Sequence, residues 1–290
     1  MEFSVRVPGS CGELVQGWVD GEPFLVTCPI EMYTTVRVSE EACGLHGLGR
    51  KSLRALELVL ELLGKESFPW GMELVSELPH GKGMASSSAD IAAVAAAAGL
   101  AFGRMFSPQE ILSLAVRIEP TDGVFFPSVV RMNQVTGTLL ESYPAMPRFW
   151  MAVFDTGGMV DTLALHEHQL PLLEHPWQDI FPLLHGEAEE IARAATQSAR
   201  WHDAVLPKPG FSAFLAAARQ NGALGICAAH SGTVLGALFS PGMARKNVEA
   251  AIAAMREDIP ALVFLRLTRL RAGGIDMGIR QKYSDGWQRN

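Results

Sequence analysis

The sequence predicts a mixed α+β protein of two lobes, and three observations carry that expectation. The chain has 290 residues, 48% of them hydrophobic and 19% charged, enough apolar material for more than one core, because single cores stop growing near this size. Short alternating or β-branched runs and runs of helical period are interleaved along the whole length. A proline-rich joint, "YPAMPR" at 143–148, interrupts the pattern at mid-chain and places the boundary between lobes of residues 1–146 and 147–290.

Each element follows from local pattern. Glu2 to Val7, Phe24 to Ile30 and Tyr33 to Val38 read as strands with tight Gly and Pro connections. Leu53, Leu56, Leu60 and Leu63, with Arg54, Glu57 and Glu61 between them, make Arg50 to Leu63 an amphipathic helix. Gly71 to Leu78 is a strand, Ser86 to Phe102 a helix, and Ser107 to Ile118 a second helix with Ser-Pro at N-cap and N1. A loop from Glu119 to Pro127 leads to strands near Ser128 to Met132 and Thr136 to Tyr143. In the second lobe "FWMAVFD" is a buried-type strand, Trp177 to Trp201 a helix broken near Pro182, and Phe211 to Asn221 another helix. Strand-like "GALGICAAHSGTVLGALFS", a helix from Gly242 to Met255 and a strand from Ala261 to Thr268 complete it.

A net charge of −7 argues against a general nucleic-acid field, which needs clustered Lys and Arg. The basic stretch Arg266 to Arg271 alternates with apolar residues and reads as a strand with one wet face. Cys11, Cys28, Cys43 and Cys227 form no CxxC pair or regular spacing, so neither a zinc knuckle nor a disulfide framework is expected. With no secretory n- and h-region and no apolar run long enough to span a bilayer, the expected location is the cytoplasm. His166 and His168, with His175 and His185, suggest zinc, but i,i+2 spacing on a helix points side chains to different faces. Trp177, Phe181 and Leu184 read instead as a core stripe.

The chemistry concentrates in "ELPHGKGMASSSADIAAVAAAAG", 77–99. A strand feeding a helix through Pro79, His80, Gly81, Lys82, Gly83, Met84 and Ala85 presents unpaired amides at the positive end of that helix. Gly81 and Gly83 permit left-handed backbone and close approach to a ligand. Ser86, Ser87 and Ser88 supply hydroxyls, and Lys82 a point charge, for an anion such as phosphate. The small face beginning at Ala89 seats the helix close to its neighbours. Neither the P-loop nor the dinucleotide fingerprint fits: residue 76 is Ser and residue 86 is Ser where each pattern requires Gly.

"PHGKGMASSSA" resembles the PxxxGLGSSAA phosphate loop of the GHMP kinases, with Ala85 in place of Gly and Ser88 in place of Ala. "VRVPGSCGELVQGW" is similar to that superfamily's N-terminal motif and "AAHSGTVLGALF" to its third motif, in the same order along the chain. Within the superfamily, "PGSCGELVQG", "RIEPTDG" and "AAHSGTVLG" are similar to the L-threonine kinases of cobalamin biosynthesis. The resemblance implies the GHMP kinase fold, with a lobe like ribosomal protein S5 domain 2 followed by a ferredoxin-like lobe. It implies ATP and Mg2+ as cofactors and phosphorylation of the threonine hydroxyl to O-phospho-L-threonine, precursor of the aminopropanol linker of the cobalamin nucleotide loop.

By the same resemblance, residues Pro79 to Ala89 hold the nucleotide, Ser87 ligates Mg2+ and a later Glu completes the metal site. Glu119 is the candidate, although the family's Glu lies much further ahead of its Asp than the three positions between Glu119 and Asp122. Glu110 is the alternative, and equally an ordinary first-turn acid. Asp122 corresponds to the Asp that takes or orients the hydroxyl proton; read locally, "TDG" is a turn. Glu13 and Asp161 are candidate partners for a substrate ammonium, and His230 and Ser231 for substrate or phosphate. Cys43 to Lys51 is a candidate adenine region. Two rivals remain open: a kinase of another small alcohol such as homoserine, and a noncatalytic nucleotide- or metabolite-binding protein.

Overall fold

In a computed structural model, residues 2–158, 175–279 and 288–289 are described. Among them a twelve-stranded sheet forms the spine. β1 (Glu2–Val19) and β2 (Glu22–Ser39) are its centre, flanked by β4 (Gly71–Ser76) and the short β3 (Leu45–His46) on one side. On the other side run β8 (Gly225–Ala228), β9 (Val234–Phe239), β7 (Trp150–Asp155) and β10 (Val263–Arg269), giving the order β10-β7-β9-β8-β1-β2-β4-β3. β5 (Val129–Asn133) pairs with β2 and β6 (Thr138–Tyr143), while β11 (Asp276–Ile279) pairs with β1 and the two-residue β12 (Gln288–Arg289). The β3–β4 pair is parallel and the other ladders are antiparallel.

β1 and β2 are much longer than the expected runs. Gly and Pro in "VPGSCGELV" do not end β1; they are absorbed as register shifts between Pro8, Ser10, Glu13 and Val15, and pairing resumes on either side. Such bulges re-aim side chains without breaking a ladder. Gly12 takes φ +59 there, and a Cβ would lie 2.3 Å from the Ala229 nitrogen, so the backbone requires glycine.

α1 (Arg50–Leu63) has the expected limits and closes on Gly64 in the left-handed region, the usual C-cap chemistry. Its buried face is Ser52, Ala55, Leu56, Leu58 and Val59. Leu53, expected in the apolar stripe, is exposed instead. α2 (Ser86–Ala101) is buried at every position except Ser87 and Leu100. A helix without a polar face must sit inside, and its alanines let α1, β1 and β2 close around it. α3 (Pro108–Ala115) is capped as expected: the Ser107 hydroxyl accepts from the Glu110 amide, and the Glu110 carboxylate accepts from the Ser107 amide.

The helix expected from Trp177 to Trp201 is three pieces: a turn at Trp177–Ile180, a 3-10 segment Phe181–His185 around Pro182, and α4 (Ala188–Val205). Trp177 and Leu184 are buried and Phe181 half-buried, with Trp177 and Phe181 edge-on to Phe24 at 5.0 and 5.2 Å. α5 (Phe211–Gln220) and α6 (Arg245–Asp258) cover β7 and β9 around Phe154, Phe214, Phe239 and Met255. A larger core runs from β1 and β2 through α1, α2 and α3.

Three distant segments meet at the start of α2. The Ser10 and Gly12 amides of the β1 bulge donate to the Met84 and Gly83 carbonyls at 3.0 and 3.1 Å. From the β8–β9 turn, the Thr233 and Val234 amides both donate to the Lys82 carbonyl at 3.0 and 3.2 Å. A Cβ on Gly232 would meet the Lys82 oxygen at 2.2 Å and the Gly83 nitrogen at 2.4 Å, backbone atoms with no rotamer to yield. Gly232→Ala should therefore cost roughly 1–3 kcal/mol of stability, the range for overpacking; an unchanged urea midpoint would contradict this packing.

Candidate active site

The peptide plane converts those four hydrogen bonds into a binding surface. In a trans peptide the C=O and the following N–H point in opposite directions. With the carbonyls of Lys82, Gly83 and Met84 held by the scaffold, the amides of Gly83, Met84 and Ala85 face the other way. Ala85 is the N-cap of α2, and the first bond of that helix runs from the Ala89 amide to the Ala85 carbonyl. The Ser86, Ser87 and Ser88 amides therefore have no carbonyl within the helix to accept them. Residues 83–88 line a cavity of about 520 Å3, so the amide cradle and the positive end of α2 open into one space.

Ala85 stands in the left-handed region at φ +52, where the family loop has Gly. This conformation costs a non-glycine residue roughly 1–2 kcal/mol, against about 0.5–1 kcal/mol of extra unfolded-chain entropy for glycine. Ala85→Gly should accordingly hold or raise stability by up to about 1 kcal/mol. Thermal or urea unfolding checks this, and a clear loss of stability would show that the Ala85 methyl contributes packing absent from this account.

Within the cradle, Ser87 donates its hydroxyl hydrogen to Glu119 Oε1, and Lys51, from the first turn of α1, donates to Glu119 Oε2. Glu119 is nearly buried and Lys51 about one-third exposed. A hydroxyl and a carboxylate meeting directly are the hard oxygen donors Mg2+ takes, and such ions use one or two protein ligands and leave the rest to phosphate and water. The pair fits the ion. Among the described residues no group of three or more His, Cys, Asp or Glu side chains could hold a metal by itself. Glu110 lies outside the cavity, spent on its capping box and on Arg104 at 2.8 Å, and hydrogen bonds from Ser107 and Arg104 hold its carboxyl down at about 2.

Asp122 also lines the cavity. Its amide donates to Ser88 Oγ at 3.1 Å, and the Ser88 hydroxyl approaches Asp122 Oδ2 at 3.4 Å. Burial first, and the Glu119 charge second, push its carboxyl up to about 6. Ser88, small but not the family's Ala, thus fixes the Asp122 amide and faces its carboxyl.

Glu13, turned inward by the β1 bulge, also lines the cavity, as does Asp90, which accepts from the Thr34 hydroxyl at 2.7 Å. Glu13 Oε2 accepts from the His230 amide at 2.9 Å, and burial together with the Asp122 charge raises the Glu13 carboxyl to about 8. His230 is buried beneath: Nδ1 lies 2.7 Å from Gln16 Oε1, its carbonyl meets His202 Nε2 at 2.7 Å, and Nε2 has no partner. Burial drives His230 well below the usual imidazole value, so its ring is neutral at pH 7. His230 supports Glu13 and Gln16, and its neighbour Ser231 lines the cavity.

Three expected residues stand elsewhere. The Lys82 ammonium is engaged by Asp155 Oδ2 at 2.7 Å and by the Gly158 carbonyl, and neither Lys82 nor Pro79 nor Ala89 is among the lining residues. Asp161, with His166 and His168, lies outside the described residues. His175 stacks on Trp201 at 4.1 Å, and His185 meets Glu141 at 2.8 Å. Of the candidate adenine region Cys43 to Lys51, Gly49, Arg50 and Lys51 line the cavity and residues 43–48 do not.

Residues 50–126 match the family model of the GHMP kinases N terminal domain, and 180–258 that of the GHMP kinases C terminal. The chain is 30% identical over 249 residues to the L-threonine kinase of Citrobacter freundii, covering 81% of this chain and 85% of that protein. It is 32% identical over 257 residues to the L-threonine kinase of Salmonella typhimurium, covering 81% and 82%. The chain belongs to the GHMP kinases. It is therefore a phosphotransferase, and membership implies use of ATP. Among solved structures, a mevalonate kinase superposes at TM-score 0.72 with 12% identity, over 93% of this chain and 99% of that one. A homoserine kinase from Cytophaga hutchinsonii gives 0.65 with 18% identity, over 95% and 97%. These likenesses show the α+β GHMP fold alone.

The raised carboxyls have a stability consequence of definite sign. Glu13 near 8 lies above its ordinary 4.5, so between those values the folded kinase holds a proton that the unfolded chain has released. Its contribution to stability is present below the unfolded value and is lost as pH rises toward 8. Buried His202, lowered to about 4, acts oppositely in the acid range, so the total curve mixes the two. The difference between wild type and Glu13→Gln isolates Glu13: the variant should gain relative stability from pH 5 to pH 8, and parallel pH–stability curves would refute the raised carboxyl.

Proposed function

We propose that this kinase transfers the γ-phosphoryl group of ATP to the side-chain hydroxyl of L-threonine, giving O-phospho-L-threonine for the aminopropanol linker of the cobalamin nucleotide loop. The observation that carries the reading is that one cavity gathers an amide cradle, a Ser87–Glu119 oxygen pair, a carboxylate base and a separate deep carboxyl. Two relatives that are L-threonine kinases support the substrate.

The amides of residues 83–88 bind the nucleotide phosphates. Ser87 and Glu119 would hold Mg2+, which when bound would offset phosphate charge. Asp122, with a carboxyl near 6, is ionised at neutral pH yet more basic than an ordinary carboxylate. It accepts the proton of the threonine hydroxyl as that oxygen attacks phosphorus and the β–γ bond breaks. Glu13, aided by Gln16, receives the substrate ammonium, whose charge replaces the proton Glu13 holds in its absence. Phosphoryl transfer calls chiefly for positioning and charge stabilisation, and each group named has one such task. The lobes 1–146 and 147–290 close on this cleft, and the four free cysteines suit a reducing cytoplasm.

Two measurements test the reading. Asp122→Asn should lower kcat by about 10^2–10^4-fold, the range for general base catalysis, with ATP affinity nearly unchanged; wild-type turnover would remove Asp122 from the chemistry. ADP release should be highest with L-threonine in a panel holding homoserine, serine and mevalonate. Preference for homoserine would reassign the acceptor, and no turnover across the panel would favour a noncatalytic sensor.

A further inference from the structure

Of the two cations at the start of α1 that line the cavity, Arg50 and Lys51, Lys51 is the one joined to the Ser87–Glu119 pair, and the foregoing chemistry leaves it without a task. It occupies the second position of α1, directly after Arg50, in a first turn that carries no acidic residue, and the N-cap Gly49 makes no side-chain cap. Two cations at the positive end of a helix oppose its dipole. Arg50 and Lys51 both border the cavity, and Lys51 reaches across it to the carboxylate that also faces Ser87.

The two oxygens of Glu119 divide the work. Oε2 takes the Lys51 ammonium, and Oε1 takes the Ser87 hydroxyl. A carboxylate pinned through Oε2 cannot rotate, so Oε1 stays aimed at Ser87, the partner with which it would share an ion. The same ammonium places a positive charge beside that position and opposes a lone divalent cation. Nucleotide phosphates, bound on the adjacent amides, supply the negative charge that cancels the opposition.

We propose that Lys51 is a positioning residue that fixes Glu119 toward Ser87 and makes loading of the divalent ion conditional on bound nucleotide. The proposal rests on the metal assignment to Ser87 and Glu119 given above, and its test separates the two.

Mn2+ binding, followed by electron paramagnetic resonance of the free ion, reads this without turnover. In the absence of nucleotide, Lys51→Met should bind Mn2+ about tenfold more tightly than wild type, since removing a unit charge next to a divalent ion lifts a repulsion of that order in a watery cleft. With a nonhydrolysable ATP analogue present, the advantage should disappear. Lys51→Arg, which keeps the charge, should behave as wild type in both conditions, an outcome that loss of packing alone would not produce. Unchanged or weaker Mn2+ binding by nucleotide-free Lys51→Met overturns the Lys51 role, and so does a Lys51→Arg protein that behaves like Lys51→Met. Glu119→Gln is the control for the underlying assignment. If it loses Mn2+ binding while Lys51→Met is unaltered, only the Lys51 role falls; if it binds Mn2+ as wild type does, both fall, because the ion then sits elsewhere.

Discussion

The structure depends on how the carbonyls of Lys82, Gly83 and Met84 are held. Four backbone amides, two from the β1 bulge and two from the β8–β9 turn, take those oxygens. Peptide planarity then leaves the intervening N–H groups no choice of direction. A flexible Gly-rich loop would have to be ordered by its ligand and lose affinity to that ordering; this one is ordered by the sheet. The arrangement also explains why three motifs far apart in sequence belong together. Each donates to or packs against the same stretch of backbone, at distances where Gly12, Gly83 and Gly232 leave no room for a Cβ.

Charge is the second constraint. Glu13, Glu119 and Asp122 share one cavity, and buried Lys208 donates to the Gly232 carbonyl at 2.6 Å. Burial and mutual repulsion lift Glu13 to about 8 and Asp122 to about 6, so at neutral pH Glu13 keeps its proton while Asp122 is ionised. Lys51 supplies a positive charge for the third. A cavity this rich in carboxyls gains most when positive charge arrives together with phosphate, which suits phosphoryl transfer.

Much of this was legible in the residues. The helical spacing of α1, the Ser-Pro-x-Glu start of α3 and the serines opening α2 each carry a local physical signal, and all three lie where that signal puts them. The limits of β1 were not legible, because Gly and Pro signal a break and only cross-strand pairing with β2 shows that they form bulges. β11 was missed because its pairing with β1 is made across the length of the chain. Leu53 misled because helical period gives a stripe but not which side of it faces the core.

In the site, the Ser87–Glu119 contact follows the resemblance, whereas Asp155 as the partner of Lys82 had no sequence signal beyond a strand end. Lys51 did leave a trace: a lysine at a helix N-terminus with no acid nearby is a local conflict, and its resolution lies 68 residues away. Lys208 was invisible, since one lysine among many does not announce that it will be buried.

Residue-resolved hydrogen exchange with and without a nonhydrolysable ATP analogue and Mg2+ shows whether the amides of residues 83–88 cradle the triphosphate. Gly83 through Ser88 should gain marked protection on nucleotide binding, beyond that of the neighbouring strands. Protection confined to other segments, with those six amides exchanging as in the free protein, would contradict that cradle.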